Sequence, residues 1–133
     1  MKMKGFSLVD EAGVGRIEGH CDFRCASTGL VAGSVALHSP APPWNRYWVE
    51  LSGFSLTGDL QQGIEPSSVE LLREALRCGE VRTLWQYDRE LAPFFCPECG
   101  LCYAASAWQA HPNSATSIDG ICPAGHRRRL CAD

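Results

Sequence analysis

The sequence predicts an α+β protein, with a small N-terminal antiparallel β-sheet, one or two helices, and a C-terminal module held by a metal ion. Three observations lead there. Short segments of β-branched, aromatic and small residues (30–37 and 46–51) are separated by Pro- and Gly-rich breaks. A helical repeat with start and stop signals occupies residues 67–78. Cys96, Cys99, Cys122 and His126 form two close pairs with the spacing C-x2-C-x22-C-x3-H.

Length and composition set the frame. With 133 residues, 45% hydrophobic and 20% charged, the chain is one globular domain or a small domain plus a stapled module. The division falls after residue 93, giving an α+β part over 1–93, its sheet at about 14–57, and a metal module over 94–133. A net charge of −3 provides no global attraction to polyanions. Charge appears at Asp10 and Glu11, and no apolar stretch reaches signal-peptide or membrane-spanning length. The expected address is the cytoplasm, with no membrane partner. Eight cysteines then read as metal ligands and reduced thiols rather than as a disulfide framework.

Taken in order, residues 1–13 form a loose start or a first edge strand, and residues 16–18 a short strand. His20, Cys21 and Cys25 follow. They offer too few ligands for a second metal unless His38, Cys78 or Cys131 joins them, so free thiols on a strand or turn are the expectation. A His20–Cys21 catalytic pair is disfavoured, because neighbours on a strand point to opposite faces. Residues 30–37 are a strand, and the Pro-rich run 39–43 is a loop. Residues 46–51 alternate as a half-buried strand, with 54–57 as its hairpin partner beyond a Ser52-Gly53 turn. Trp44, Tyr47 and Trp48 are read as core aromatics.

Residues 58–65 read as a polar connector. Ser67 and Glu70 then make a capping box for a helix at 67–78, with Val69, Leu72, Ala75 and Leu76 on its buried face. Gly79 suits the position past its end. Val81, Leu84 and Trp85 predict a second helix at 80–90, stopped before Pro93. Phe94 and Phe95 should dock the metal module. Residues 109–121, rich in polar residues, are expected to be a flexible loop carrying a solvated His111.

In the module, a tight turn can bring two thiolates of a C-x2-C pair onto one ion, and four N/S ligands suit a tetrahedral structural Zn2+. Cys96-Pro-Glu-Cys99-Gly and Cys122-Pro-Ala-Gly-His126 resemble the two knuckles of zinc-ribbon proteins, with His in place of the last Cys. The resemblance covers residues 94–129. It implies that Cys96, Cys99, Cys122 and His126 hold one structural zinc between two short hairpins. A second resemblance is to small bacterial zinc proteins with Tyr-Cys-x-x-His-Trp after the first knuckle. Here Tyr103 and Trp108 frame the segment but alanine stands at both ligand positions, implying that any second centre is missing. Cys96, Cys99 and Cys102 with Cys122-Pro123 also resemble the ligand run of an iron–sulfur ferredoxin. His126 favours zinc, leaving Cys102 as a small buried hydrophobe.

The zinc-deaminase signature pairs H-x-E with P-C-x-x-C, but no H-x-E occurs upstream of Cys96, and there is no P-loop, G-x-S-x-G or H-E-x-x-H. The expected function is therefore non-catalytic: a zinc-stabilised binding or adaptor protein whose ribbon presents a surface to a protein partner. The alternatives are a nucleic-acid binder using Arg127, Arg128 and Arg129, an iron–sulfur redox protein, or an uncharacterised metalloenzyme.

Overall fold

A computed structural model describes residues 2–4, 16–40, 42, 45–114 and 117–131. It bears out the α+β class. Five strands form an antiparallel sheet: β1 (Lys2–Lys4), β2 (Ile17–Arg24), β3 (Val31–His38), β4 (Trp48–Ser52) and β5 (Leu60–Gly63), in the order β1-β5-β4-β3-β2. The register aligns Cys21, Val35, Leu51 and Leu60 in one row. Val35, Leu51 and Leu60 are fully or almost fully buried, as strand alternation requires of a sheet face turned to the core.

Two expectations for this sheet are corrected. Residues 58–65 are not a mere connector, because β5 lies within them and pairs with β4. Residues 54–57 are not a strand. Phe54 is fully buried, and its carbonyl accepts from the N–H groups of Thr57 and Gly58, closing a turn. Burying that ring outweighs the extended preference of its neighbours. The first edge strand is present at Lys2–Lys4. Most of residues 1–13, together with Trp44, lies outside the described residues.

Pro66–Ser68 make a 3-10 turn that leads into helix α1 (Val69–Cys78). The capping box is not formed, since neither Ser67 nor Ser68 gives a side-chain cap, and Pro66 starts the turn instead. Gly79 ends α1 with φ 69°, the left-handed conformation that glycine adopts without a Cβ penalty. Helix α2 (Val81–Tyr87) and a 3-10 turn at Arg89–Leu91 fill the second predicted helical region. Val69, Leu72, Ala75 and Leu76 are buried, and α1 packs on β2 and β3.

The C-terminal part consists of a two-stranded hairpin, β6 (Phe95–Cys96) and β7 (Leu101–Cys102), and a three-stranded sheet. The latter comprises β8 (Gln109–Pro112), β9 (Ile118–Ile121) and β10 (Arg127–Cys131). The flexible loop expected at 109–121 is thus mostly two paired strands, Gln109 opposite Ile121 and Pro112 opposite Ile118. Among these eight residues only Gly120 is buried, so neither strand carries a core-facing apolar pattern. Backbone pairing and the buried Trp108 at the entrance hold the strands.

Phe94 joins this part to the sheet. Its ring lies 5.5 Å from that of Phe23 and 6.1 Å from that of Phe54, directly over Gly33. A Cβ at Gly33 would fall 2.5 Å from the Phe94 ring, so only glycine permits this approach. One hydrophobic cluster runs from Phe23 and Leu37 through Phe94 and Phe95 to Cys96, Trp108 and Leu130.

Candidate metal centre

Each ligand pair sits at the tip of a hairpin. The first turn spans β6 to β7, with the Gly100 N–H donating to the Cys96 carbonyl at 2.8 Å and Gly100 at φ 70°. The second spans β9 to β10, with the Gly125 N–H donating to the Cys122 carbonyl at 2.8 Å and Gly125 at φ 92°. Both glycines occupy the left-handed region, which lets each chain reverse within a few residues and aim two side chains at one point.

The two tips face each other. The Sγ atoms of Cys96, Cys99 and Cys122 and a ring nitrogen of His126 all lie within 4.8 Å of one another. Nδ1 of His126 is 3.7 Å from the sulfur of Cys96, 3.2 Å from that of Cys99 and 3.4 Å from that of Cys122. The Cys99 and Cys122 sulfurs are 3.7 Å apart, far beyond disulfide bonding distance. A tetrahedral ion with bonds of roughly 2.3 Å to sulfur and 2.0 Å to nitrogen separates its ligand atoms by roughly 3.5–3.8 Å. The observed spacings match such an arrangement, so these residues could hold a metal ion.

Cys96 and Cys122 are buried, while Cys99 and His126 are half-buried. Burial pushes the Cys96 thiol up to about 11. Burial acts the same way on Cys122, but the backbone N–H groups of His126 and Ala124 outweigh it and bring that thiol down to about 7. A metal bound there would displace the protons that remain, so its uptake would release them and weaken as pH falls.

Around the ligands, two arginines clamp the first knuckle. Arg82 donates to the Pro97 carbonyl at 3.1 Å, and its guanidinium lies 5.1 Å from the centre of the Phe95 ring. Arg128 donates to the Phe95 carbonyl. The Trp108 indole N–H donates to the Tyr103 carbonyl at 3.0 Å, and the two rings meet edge to face. Arg82 carried no signal in the sequence. Arg128 carried a partial one, since strand alternation separates it from Arg127 and Arg129.

The other flagged residues fall elsewhere. Cys102 is buried outside the four-atom group, with its thiol pushed up to about 12 by burial, as expected of a small packed hydrophobe. Among the described residues no second group of three or more metal-ligating side chains forms. His20 pairs with Asp22 at 3.1 Å, away from the face that carries Cys21 and Phe23. His38 is buried, stacked on Trp48 with ring centres 3.8 Å apart and 3.2 Å from Glu50. Cys78 is exposed and bonded to Glu74. His111 is exposed, as expected. Arg127 and Arg129 both reach Asp119 at 3.4 Å, whereas Arg128 turns to Phe95, so the basic run does not present three free cations on one face.

A family model described as domain of unknown function DUF8328 matches residues 15–132. The chain belongs to that family. The match takes in all four ligand residues, along with the sheet strands β2 to β5 and both helices. No curated protein and no solved structure matches the chain.

Proposed function

We propose that this DUF8328 member is a non-catalytic binding protein whose C-terminal part is stapled by one structural Zn2+ on Cys96, Cys99, Cys122 and His126. The mutual spacing of those four ligand atoms carries the reading. A catalytic zinc leaves a position open to water, whereas three thiolates and an imidazole complete a tetrahedron. His126 takes the fourth place that an iron–sulfur cluster would give to sulfur, and Cys102 stands outside the group. We read residues 94–133 as the stapled module and residues 1–93 as the scaffold on which it docks.

An adaptor also needs exposed apolar surface. Leu101 on β7 is 46% exposed, and Leu30 and Val31 are 62% and 37% exposed. The turn that leads to Leu30 is tied to β7 by a bond from the Ala26 N–H to the Cys102 carbonyl at 2.8 Å. This is the surface we assign to a protein partner. A reducing cytoplasmic setting belongs to the same proposal, because thiolate ligands must stay unoxidised. Among the described residues no helix is long and apolar enough to cross a membrane.

The deciding measurement is metal content by mass spectrometry with a visible spectrum of the same sample. One zinc per chain and no colour is the expected result. Iron with broad visible absorption would replace the structural staple with a redox centre, and a metal-free, fully folded protein would end the metal reading.

A further inference from the structure

Between α2, the first knuckle and β10 lies a cavity of about 70 Å³ lined by Trp85, Arg89, Pro97, Arg128 and Arg129. We propose that this cleft binds one small oxyanion, a phosphate or carboxylate group carried by the ligand of this protein. The proposal rests on the binding role above and gives it a chemistry.

The cleft has more donors than the protein uses. Arg16, Arg73, Arg77, Arg127 and Arg129 each pair with a carboxylate. Arg24, Arg46, Arg82, Arg89 and Arg128 form no ion pair among the described residues, and of these Arg89 and Arg128 line the cleft. Arg128 donates only to the Phe95 and Arg129 carbonyls, with its guanidinium 6.0 Å from the centre of the Trp108 ring. Arg89 is exposed, with its guanidinium 4.9 Å from the centre of the Trp85 ring, and no side-chain hydrogen bond from it is found among the described residues.

The Trp85 indole N–H is buried and has no hydrogen-bond partner among the described residues. Such a buried donor is costly unless a ligand or water accepts from it. Two unpaired guanidinium groups facing one small cavity repel each other, and an anion between them turns that repulsion into attraction. The net charge of the metal centre does not account for both. Three thiolates on a dication leave a single negative charge, and only Arg128 reaches the Cys96 strand while Arg89 is held on α2's own Trp85.

The test is a titration of the full-length, metal-loaded protein with inorganic phosphate and, separately, acetate at constant ionic strength. It is followed through the Trp85 indole and arginine Nε resonances. Saturable shifts centred on Trp85, Arg89 and Arg128 are expected. Arg89→Gln should weaken binding by about tenfold, and Arg127→Gln should leave it unchanged. Phosphate alone saturating the site assigns a phosphate group, and acetate doing so with the same Arg89 dependence assigns a carboxylate. Unsaturable shifts, shifts spread over the surface, or equal binding by Arg89→Gln would overturn the proposal. Arg128→Gln also removes a clamp on the knuckle; if it does not fold, Arg89→Gln decides. Metal content of the same sample keeps the claims apart, because one zinc without anion binding removes the cleft and leaves the staple.

Discussion

At the residue scale, a few side chains have consequences out of proportion to their size. Removing one ligand leaves three, and a tetrahedral ion loses its closed set. Cys96→Ser or His126→Ala should therefore drop zinc well below one per chain and expose the amides of β8 to β10 to exchange, measured by mass spectrometry and hydrogen exchange. Unchanged metal and protection in both would refute the ligand assignment. Gly33 is the second sensitive position. Because its Cβ would meet the Phe94 ring at 2.5 Å, Gly33→Ala should cost roughly 1–3 kcal/mol in denaturant unfolding, although alanine suits a strand no worse than glycine. The His38–Glu50 pair governs a third effect. Hydrogen bonding from His38 holds the Glu50 carboxyl below its ordinary value, so its contribution is complete above the unfolded pKa of about 4.3. That contribution is lost as pH falls through the lower folded value. Glu50→Gln should accordingly show a smaller stability loss than the parent between about pH 5 and pH 3, since proton effects on the metal ligands are common to both.

At the scale of elements, strand β10 separates two kinds of arginine. Arg127 is exposed and shares Asp119 with Arg129, so Arg127→Ala should change stability by less than about 0.5 kcal/mol. Arg128 holds a backbone carbonyl of the first knuckle, and Arg128→Ala should cost about 1–2 kcal/mol in the same unfolding assay. Equal effects would mean that the clamp is not formed. The elements also differ in how legible they were. Helix α1 announced itself by apolar residues at helical spacing and by Gly79, both local signals. Strands β8 and β9 did not, because their stability comes from pairing across a reversal and not from an apolar face. Strand β5 was hidden for a related reason: Gln61 and Gln62 are buried by their strand partners, and nothing in their own chemistry calls for burial.

At the scale of the whole molecule, the candidate metal centre and the sheet share one hydrophobic cluster through Phe94 and Phe95. Stripping the metal with a chelator should therefore lower the thermal midpoint of the entire chain, followed by circular dichroism, and not only loosen its last third. A sheet transition at an unchanged temperature would show that the two parts melt independently. The sequence by itself determined which four residues cluster as candidate metal ligands, the α+β class and the core helix. Ligand spacing, apolar periodicity and a stop glycine are written in neighbouring positions. Only the tertiary structure decided that β5, β8 and β9 are strands, that Phe54 plugs the core, and that the three arginines part company. Each of these depends on what lies opposite a residue in space. Pairing partners, the ring above Gly33 and the arginines around one cleft come from distant parts of the chain, and no local pattern encodes them.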